Sequence, residues 1–402
     1  MKRITEIFVG LTNLQRVLAL VILGVILYGF SASVSYALFS RVGPITSGKE
    51  EAVPVIPTAS NILIEDPNEP KTETCPLNGS KHTKKAEESW SKRRPLAVMI
   101  ENHVEARPQS GLSFADVVYE AVAEGGITRF MAIYYCNLAD VQVGPVRSAR
   151  TYYLDWLVEY DALYAHVGGA NTPGPADALG QIIKYGVKDL NQFSIGFPVF
   201  WRDYQRLGRS VATEHTMYST TAKLWEVGAK RGWTATDSAG LKWDKNFVSW
   251  KFKDPSAGST SSLQASSGQA TNIKVNFWES QPGYEVNWNY DQASSSYKRK
   301  NNGSPHMDLD NNTQLSPQVV IVQFKRESNA NDGYPGNVHL LYGTTGSGKA
   351  LIFQDGNAIE GKWIKNSRLS RTKYVDKSNK EIELDAGQIW IQTVPEGSKV
   401  SY

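Results

Sequence analysis

Between Lys274 and Pro395 the chain is a succession of short β-rich runs: KVNFWES, YEVNWNYD, PQVVIVQF, NVHLLYG, ALIFQDG, AIEGKWIK and QIWIQTVP. Turn residues separate them, and no strong helical pattern intervenes. Runs of this length, rich in β-branched and aromatic side chains, read as strands. A stretch built this way buries its apolar residues in sheets. The 11 Trp and 19 Tyr of the chain point the same way.

Upstream the pattern changes. RPLAVMIEN reads as a buried strand and ARPQSGL as a turn-rich loop. DVVYEAVAEGGITRFMAIYYC reads as two strands joined at Glu124-Gly125-Gly126. GPVRSAR leads into a helical stretch, TYYLDWLVEY, and DALYAHVGG is a strand ending in a glycine pair. ADALGQIIKYG is a short helix stopped by Gly186, and STTAKLWEVGAKRGW is another, with apolar residues at steps of three and four. The Ser/Gly-rich DPSAGSTSSLQASSGQAT then reads as a linker. The 402 residues suffice for one large or two ordinary domains. The predicted fold class is α+β: a mixed α/β N-terminal domain over 92–250, a linker over 251–271, and a β-rich C-terminal domain over 272–402.

The N-terminus sets the compartment. Val17 to Phe39 is a run of 23 residues without a charge, long enough to cross a bilayer. Lys2, Arg3 and Arg16 precede it, which keeps residues 1–16 in the cytoplasm and places the body outside. The expectation is one N-terminal transmembrane helix at 17–39. Ser35-Tyr-Ala37 would also suit signal peptidase, in which case the body is released. It is exported in both cases. Residues 40–91, rich in Pro, Glu, Lys, Ser and Thr, read as a disordered stalk. Cys75 and Cys136 are the only cysteines, and an exported chain favours a disulfide between them.

Two motifs mislead. GTTGSGKA at 343–350 is one residue short of a phosphate-binding loop, with Ala350 where a hydroxyl is needed for magnesium. A strand and a D-G turn follow it rather than a helix, so a hairpin connection is expected and no nucleotide. HMDLDNNT at 306–313 matches half of a calcium loop, but Thr313 stands where glycine is required; a solvated turn is expected. No histidine or cysteine pair has zinc spacing along the chain. Neither a metal nor a cofactor is expected. The net charge of +3 gives no argument for nucleic acid.

Polar residues gather in the first domain. Arg147, Ser148 and Arg150 fall at the expected start of a helix, where anions are favoured. Glu124 and Arg129 flank the hairpin turn. Glu120 lies four residues before Glu124, on the same face if the strand is regular. Arg107, Gln109 and Ser110 lie in a loop, His166 ends a strand, and Glu214 and His215 precede a helix. One polar cleft lined by these segments is expected. Arg147 and Arg150 would hold an anionic group, and Glu120, Glu124, His166 or His215 would serve as acid or base. The competing structural reading is that the Arg–Glu pairs pin loops and Ser148 caps the helix.

RRPLAVMIENHVEARPQSGLSFADVVYEAVAEGGITRFMAIYY and GPVRSARTYYLDWLVEYDALYAHVGG resemble the YerB-type exported lipoproteins of bacteria, as do GSGKALIFQDGNAIEGKW and LDAGQIWIQTVPEG. The resemblance spans roughly Cys75 to Val400. It implies a mixed N-terminal domain and a β-rich C-terminal domain, and no activity. The chain departs from a lipoprotein in having no cysteine directly after its apolar segment, so a transmembrane anchor takes the place of lipid. Three functions remain. The preferred one is a membrane-tethered envelope protein that binds an anionic ligand or a protein partner. The others are a hydrolase or transferase acting on cell-wall polymer, and a scaffold for envelope proteins.

Overall fold

The computed structural model describes residues 68–402 except 138, 255–267 and 334–337, and of the first 67 only 12, 14, 15, 18, 22, 27–31 and 33. Most of the expected span at 17–39, the stalk up to 67 and most of the linker lie outside the described residues. Those described within 17–39 are helical and exposed. Among the described residues no helix is long and apolar enough to cross a membrane.

The stalk expectation fails from residue 73 onward. Glu73–Thr74 pairs with Lys81–His82. Helix α1 (Lys84–Trp90) follows, with the Thr83 side chain accepting from the Ala86 amide. Cys75 is joined to Cys136, and Leu77 and Trp90 are buried. A disulfide and a few apolar anchors are enough to dock a segment whose average composition is polar.

The core is one large sheet whose eleven strands are numbered here in chain order. In the first half they are β1 (Leu96–Glu101), β2 (Val117–Glu124), β3 (Ile127–Tyr134), β4 (Leu163–His166) and β5 (Lys188–Asn191). In the second they are β6 (Gly268–Gln269), β7 (Val319–Lys325), β8 (Gly346–Gln354), β9 (Asn357–Lys365), β10 (Lys373–Asp376) and β11 (Ile389–Pro395). Their order across the sheet is β6-β9-β8-β7-β11-β2-β3-β1-β4-β5, with β10 on β9. The mixed and the β-rich halves are both present, but they share this sheet. The junction is β11, parallel to β7 on one side and to β2 on the other.

Local sequence explains the hairpins. Gly125 and Gly126 both have positive φ in the turn from β2 to β3, and so do Asp355 and Gly356 between β8 and β9. Two residues of that conformation give the turn whose twist matches a hairpin. The near-phosphate-loop motif thus runs into strand β8. There Gly348 is required by space, since a Cβ would lie 2.6 Å from Trp363 Nε1.

Helices α2 (Thr151–Leu157), α3 (Ala178–Lys184), α4 (Gln192–Ile195) and α5 (Thr221–Lys230) belong to the first half. Helix α2 covers one face of β2. Tyr119 stacks on Trp156 at 5.3 Å, and the Tyr153 hydroxyl accepts from the Ala121 amide. On the other face lies a five-stranded sheet made of 304–305, 296–301, 286–291, 272–275 and 400–401. From it Trp288 packs on Trp390 at 5.5 Å, and its indole donates to Gln392. Strand β2 is therefore sandwiched, and its residues are buried on both faces.

Two buried carboxylates clasp the halves together. Glu120 accepts from Arg299 at 2.9 Å, Thr128 at 2.9 Å, and Trp390 and Gln392 at 3.0 Å each. Glu159 accepts from Lys365 at 2.7 Å, from Arg371 at 3.2 Å and from both the amide and the hydroxyl of Thr372. The HMDLDNNT segment is a solvated turn only in its second half, where 310–313 are exposed, and its first half is a third clasp. Asp308 is wholly buried and accepts from the Gly111 and Ser113 amides, and Asp310 pairs with Arg206.

Removing one partner of a buried ion pair strands the other charge and costs about 3–5 kcal/mol. Glu120→Ala is expected to lower the unfolding free energy by that amount in urea titrations. The double variant Glu120→Leu/Arg299→Met is expected to recover only part of it, because Thr128, Trp390 and Gln392 still lose their acceptor. A loss below about 1 kcal/mol in the single variant would show that the pair does not hold the halves.

Candidate functional site

The predicted polar residues do converge in part, but most of them bind one another. Glu124 takes Arg129 at 2.6 Å on one oxygen and Arg150 at 2.5 Å on the other. Arg129 also donates to the Ser148 carbonyl at 3.0 Å, and Arg150 to that of Ala149. Burial pushes the Glu124 carboxyl up, but the two guanidinium groups outweigh it and hold it down at about 2. This is an internal brace in which two nearly buried guanidinium groups share one carboxylate.

Glu120 is not in the cleft. A bulge between Val122 and Glu124 breaks the alternation of β2. Glu124 therefore turns toward Arg150 while Glu120 faces the five-stranded sheet. His166 is fully buried, with Nδ1 2.7 Å from the Gly168 carbonyl and Nε2 2.6 Å from Asp189. Helix α2 starts only at Thr151, has seven residues and lacks a side-chain cap. Ser148 does not cap it, and no anion site at its N-terminus follows. Instead Arg147 to Ala149 lie extended between β1 and the loop after β4: the Arg147 amide donates to Met99, and the Val167 amide to Arg147. Arg107 and Gln109 reach across to the second half, and Ser110 meets it through Arg206, which pairs with Asp310. Arg107 donates to the Gly283 carbonyl, Gln109 meets His306 at 2.6 Å, and Ser110 accepts from Arg206.

What remains open is a cleft of about 510 Å³ between residues 146–148 and the loop at 167–171. Val146, Val167, Leu179, Phe193 and Met217 make its apolar walls, and Arg147, Ser148, Asn171, Arg202 and Glu214 its polar lining. Phe193 lies over Gly168, where a Cβ would stand 2.9 Å from its ring; Gly168 has φ +57°, so glycine is needed there twice over. Arg147 is the central charge. Its Nε lies 3.2 Å from Glu101 Oε1, and its side chain is 23% exposed. Burial lowers its pKa against the pull of Glu101.

Glu101 is shared. Its other oxygen is 2.7 Å from Nδ1 of His215, which is buried. That hydrogen bond raises the His215 pKa. The His215 ring stacks on His103 with centroids 4.8 Å apart, and its Nε2 lies 3.5 Å from Glu105. Burial and the neighbouring His215 lower the His103 pKa. Of the predicted residues, then, Arg147, Ser148, Glu214 and His215 stand at or beside the cleft. Glu101, His103, Glu105, Phe193 and Arg202 join them unforeseen. The one sequence signal for them was an acid ending a buried strand and followed by His-x-Glu.

The chain matches the family described as "Protein of unknown function (DUF3048)", in its N-terminal domain over residues 81–234 and its C-terminal domain over 273–391. It is 31% identical to YerB of Bacillus subtilis (strain 168), a protein named as a lipoprotein, over 334 residues, which cover 82% of this chain and 88% of YerB. The chain belongs to the YerB family. The crystal structure of YerB from Bacillus subtilis superposes with a TM-score of 0.66 at 27% identity, covering 82% of this chain and 100% of that one. YerB thus shares the fold that carries the cleft, and the family's description assigns no activity to it.

The brace around Glu124 has a pH signature. Its folded pKa of about 2 lies below the ordinary value of 4.5, so its contribution is full above pH 4.5 and is lost as the pH falls toward 2. The shift corresponds to on the order of 3 kcal/mol. Stability measured by denaturant unfolding is expected to fall across this window in the parent and more shallowly in Glu124→Gln. Equal slopes would show that the brace does not titrate with folding.

Proposed function

We propose that this chain is an exported, membrane-tethered protein of the bacterial cell envelope that binds an anionic ligand in the cleft beside Arg147. The ligand class is a wall peptide or a peptide segment of an envelope protein. The observation that carries the reading is Arg147 itself. Glu101 stands 3.2 Å from its Nε, and the residue lines the cleft, so its guanidinium is placed to offer fork geometry to a carboxylate. The apolar walls and the nearby Glu214 suit a ligand that has an apolar body and charges of both signs, as peptides do. Binding is preferred over hydrolysis or group transfer because Glu120, Glu124 and His166 are bound to internal partners.

The tether rests on three supports. YerB is named as a lipoprotein, the segment at 17–39 is uncharged behind Lys2, Arg3 and Arg16, and the Cys75–Cys136 disulfide suits an oxidising compartment. With no cysteine between residues 30 and 40, the apolar segment itself is the anchor. In cell fractionation the protein is expected with the membrane, and its body is expected to be open to added protease in intact spheroplasts. Recovery from the cytosol would remove the envelope reading.

A thermal-shift panel of muropeptides, wall polymers and simple carboxylates tests the cleft. A ligand at a hundred times its Kd stabilises by about 2.7 kcal/mol. Arg147→Ala is expected to weaken binding roughly tenfold to a hundredfold, the worth of a charged hydrogen bond. A ligand that binds the variant as tightly as the parent would place the site elsewhere.

A further inference from the structure

We propose that His103, Glu105 and His215 form a binding site for a divalent transition-metal ion of the zinc class, with Glu101 as the residue that orients His215. The ligand atoms of the three residues all lie within 4.8 Å of one another. Around a tetrahedral zinc with bonds of about 2.0–2.1 Å, neighbouring ligand atoms stand roughly 3.3 Å apart. The group therefore has to close by about 1.5 Å at most to reach that geometry.

The side chains that must move are free to do so. His103 is half-buried and Glu105 exposed, and both belong to the short turn that follows β1. His103 gives up a weak bond from the Glu105 amide to its Nδ1 at 3.2 Å, and its ring turns out of its stack on His215 so that the two imidazoles can converge on one ion. The side chain that must stay fixed is fixed. His215 ends a second short turn and is buried. Its Nδ1 is held by Glu101 at 2.7 Å, which puts the proton of the neutral ring on that nitrogen and leaves the Nε2 lone pair toward Glu105. A carboxylate behind a ligating imidazole fixes the ring and strengthens it as a donor. Glu101 is in turn set by its place at the end of β1 and by Arg147.

The donor set decides the class of ion. Two imidazoles and one carboxylate suit zinc and its neighbours, whereas calcium and magnesium take oxygen ligands. Three protein ligands leave a coordination position open, as in sites where zinc meets a water or a substrate. Along the chain the ligands come from two distant segments, so the absence of zinc spacing in the sequence did not reveal them. The proposal does not depend on the anion reading, since metal affinity is measured without any wall ligand.

The test is titration of the full-length protein, stripped with a chelator, with Co²⁺ and then Zn²⁺. The expected result is one Co²⁺ per chain, with the visible absorption of a four- or five-coordinate site, displaced by Zn²⁺. His103→Ala and Glu105→Gln change side chains outside the core, so their melting temperatures should stay near the parent's while metal affinity falls at least tenfold. His103→Ala/His215→Ala should abolish binding. Glu101→Gln should weaken it 10- to 100-fold and alter the Co²⁺ spectrum, which a merely structural role would leave unchanged. No stoichiometric binding by the parent, or unchanged affinity in His103→Ala and Glu105→Gln, would overturn the site.

Discussion

The ion pair between Glu120 and Arg299 constrains everything around it, because both side chains are wholly shielded from water. A charge in that position is tolerable only while its partner and its cover are both in place. Its cover comes from two directions: Trp390 and Gln392 on β11, and the five-stranded sheet that carries Arg299 and Trp288. The halves of the chain therefore cannot part without exposing a carboxylate and a guanidinium built for burial. Glu159, with Lys365, Arg371 and Thr372, repeats the device on the helical side of the sheet. What reads along the chain as two domains is held as one body by charges that each half leaves to the other.

The arrangement explains why the charged residues of the first half are mostly unavailable to a ligand. Glu124 engages Arg129 and Arg150 together beside the hairpin turn, and both arginines are nearly buried. His166 is spent between Gly168 and Asp189. Arg147 differs because it lies in an extended segment that lines the cleft, partly exposed, with Glu101 3.2 Å from its Nε. The cleft is thus what remains after the interior has satisfied its own charges.

Much of the fold was legible where local chemistry decides it. Glu124-Gly125-Gly126 and Asp355-Gly356 announce hairpins because their turns need positive φ. Gly186 ends α3 for the same reason. The shared sheet was not legible, since the pairing of β2 with β11 joins residues such as Val117 and Ile389 that lie far apart in the chain. Periodicity gives a strand but not its neighbour. Asp308 shows the same limit: its surroundings read as a polar turn, and only the docking of Gly111 and Ser113 reveals a buried acceptor. For the site, residue type pointed to the right region of the first half. It could not foresee the bulge at Val122 that sends Glu120 and Glu124 apart, nor the meeting of His103 with His215.

The place of β11 has a consequence for how the protein is made. This strand is read out almost last, yet it sits in the middle of the large sheet between β2 and β7. As the chain is synthesised, β2 has an open edge until residues near 389 arrive. The body therefore closes only after nearly its whole length has emerged. A premature stop anywhere before β11 leaves an adhesive strand edge rather than a smaller folded protein.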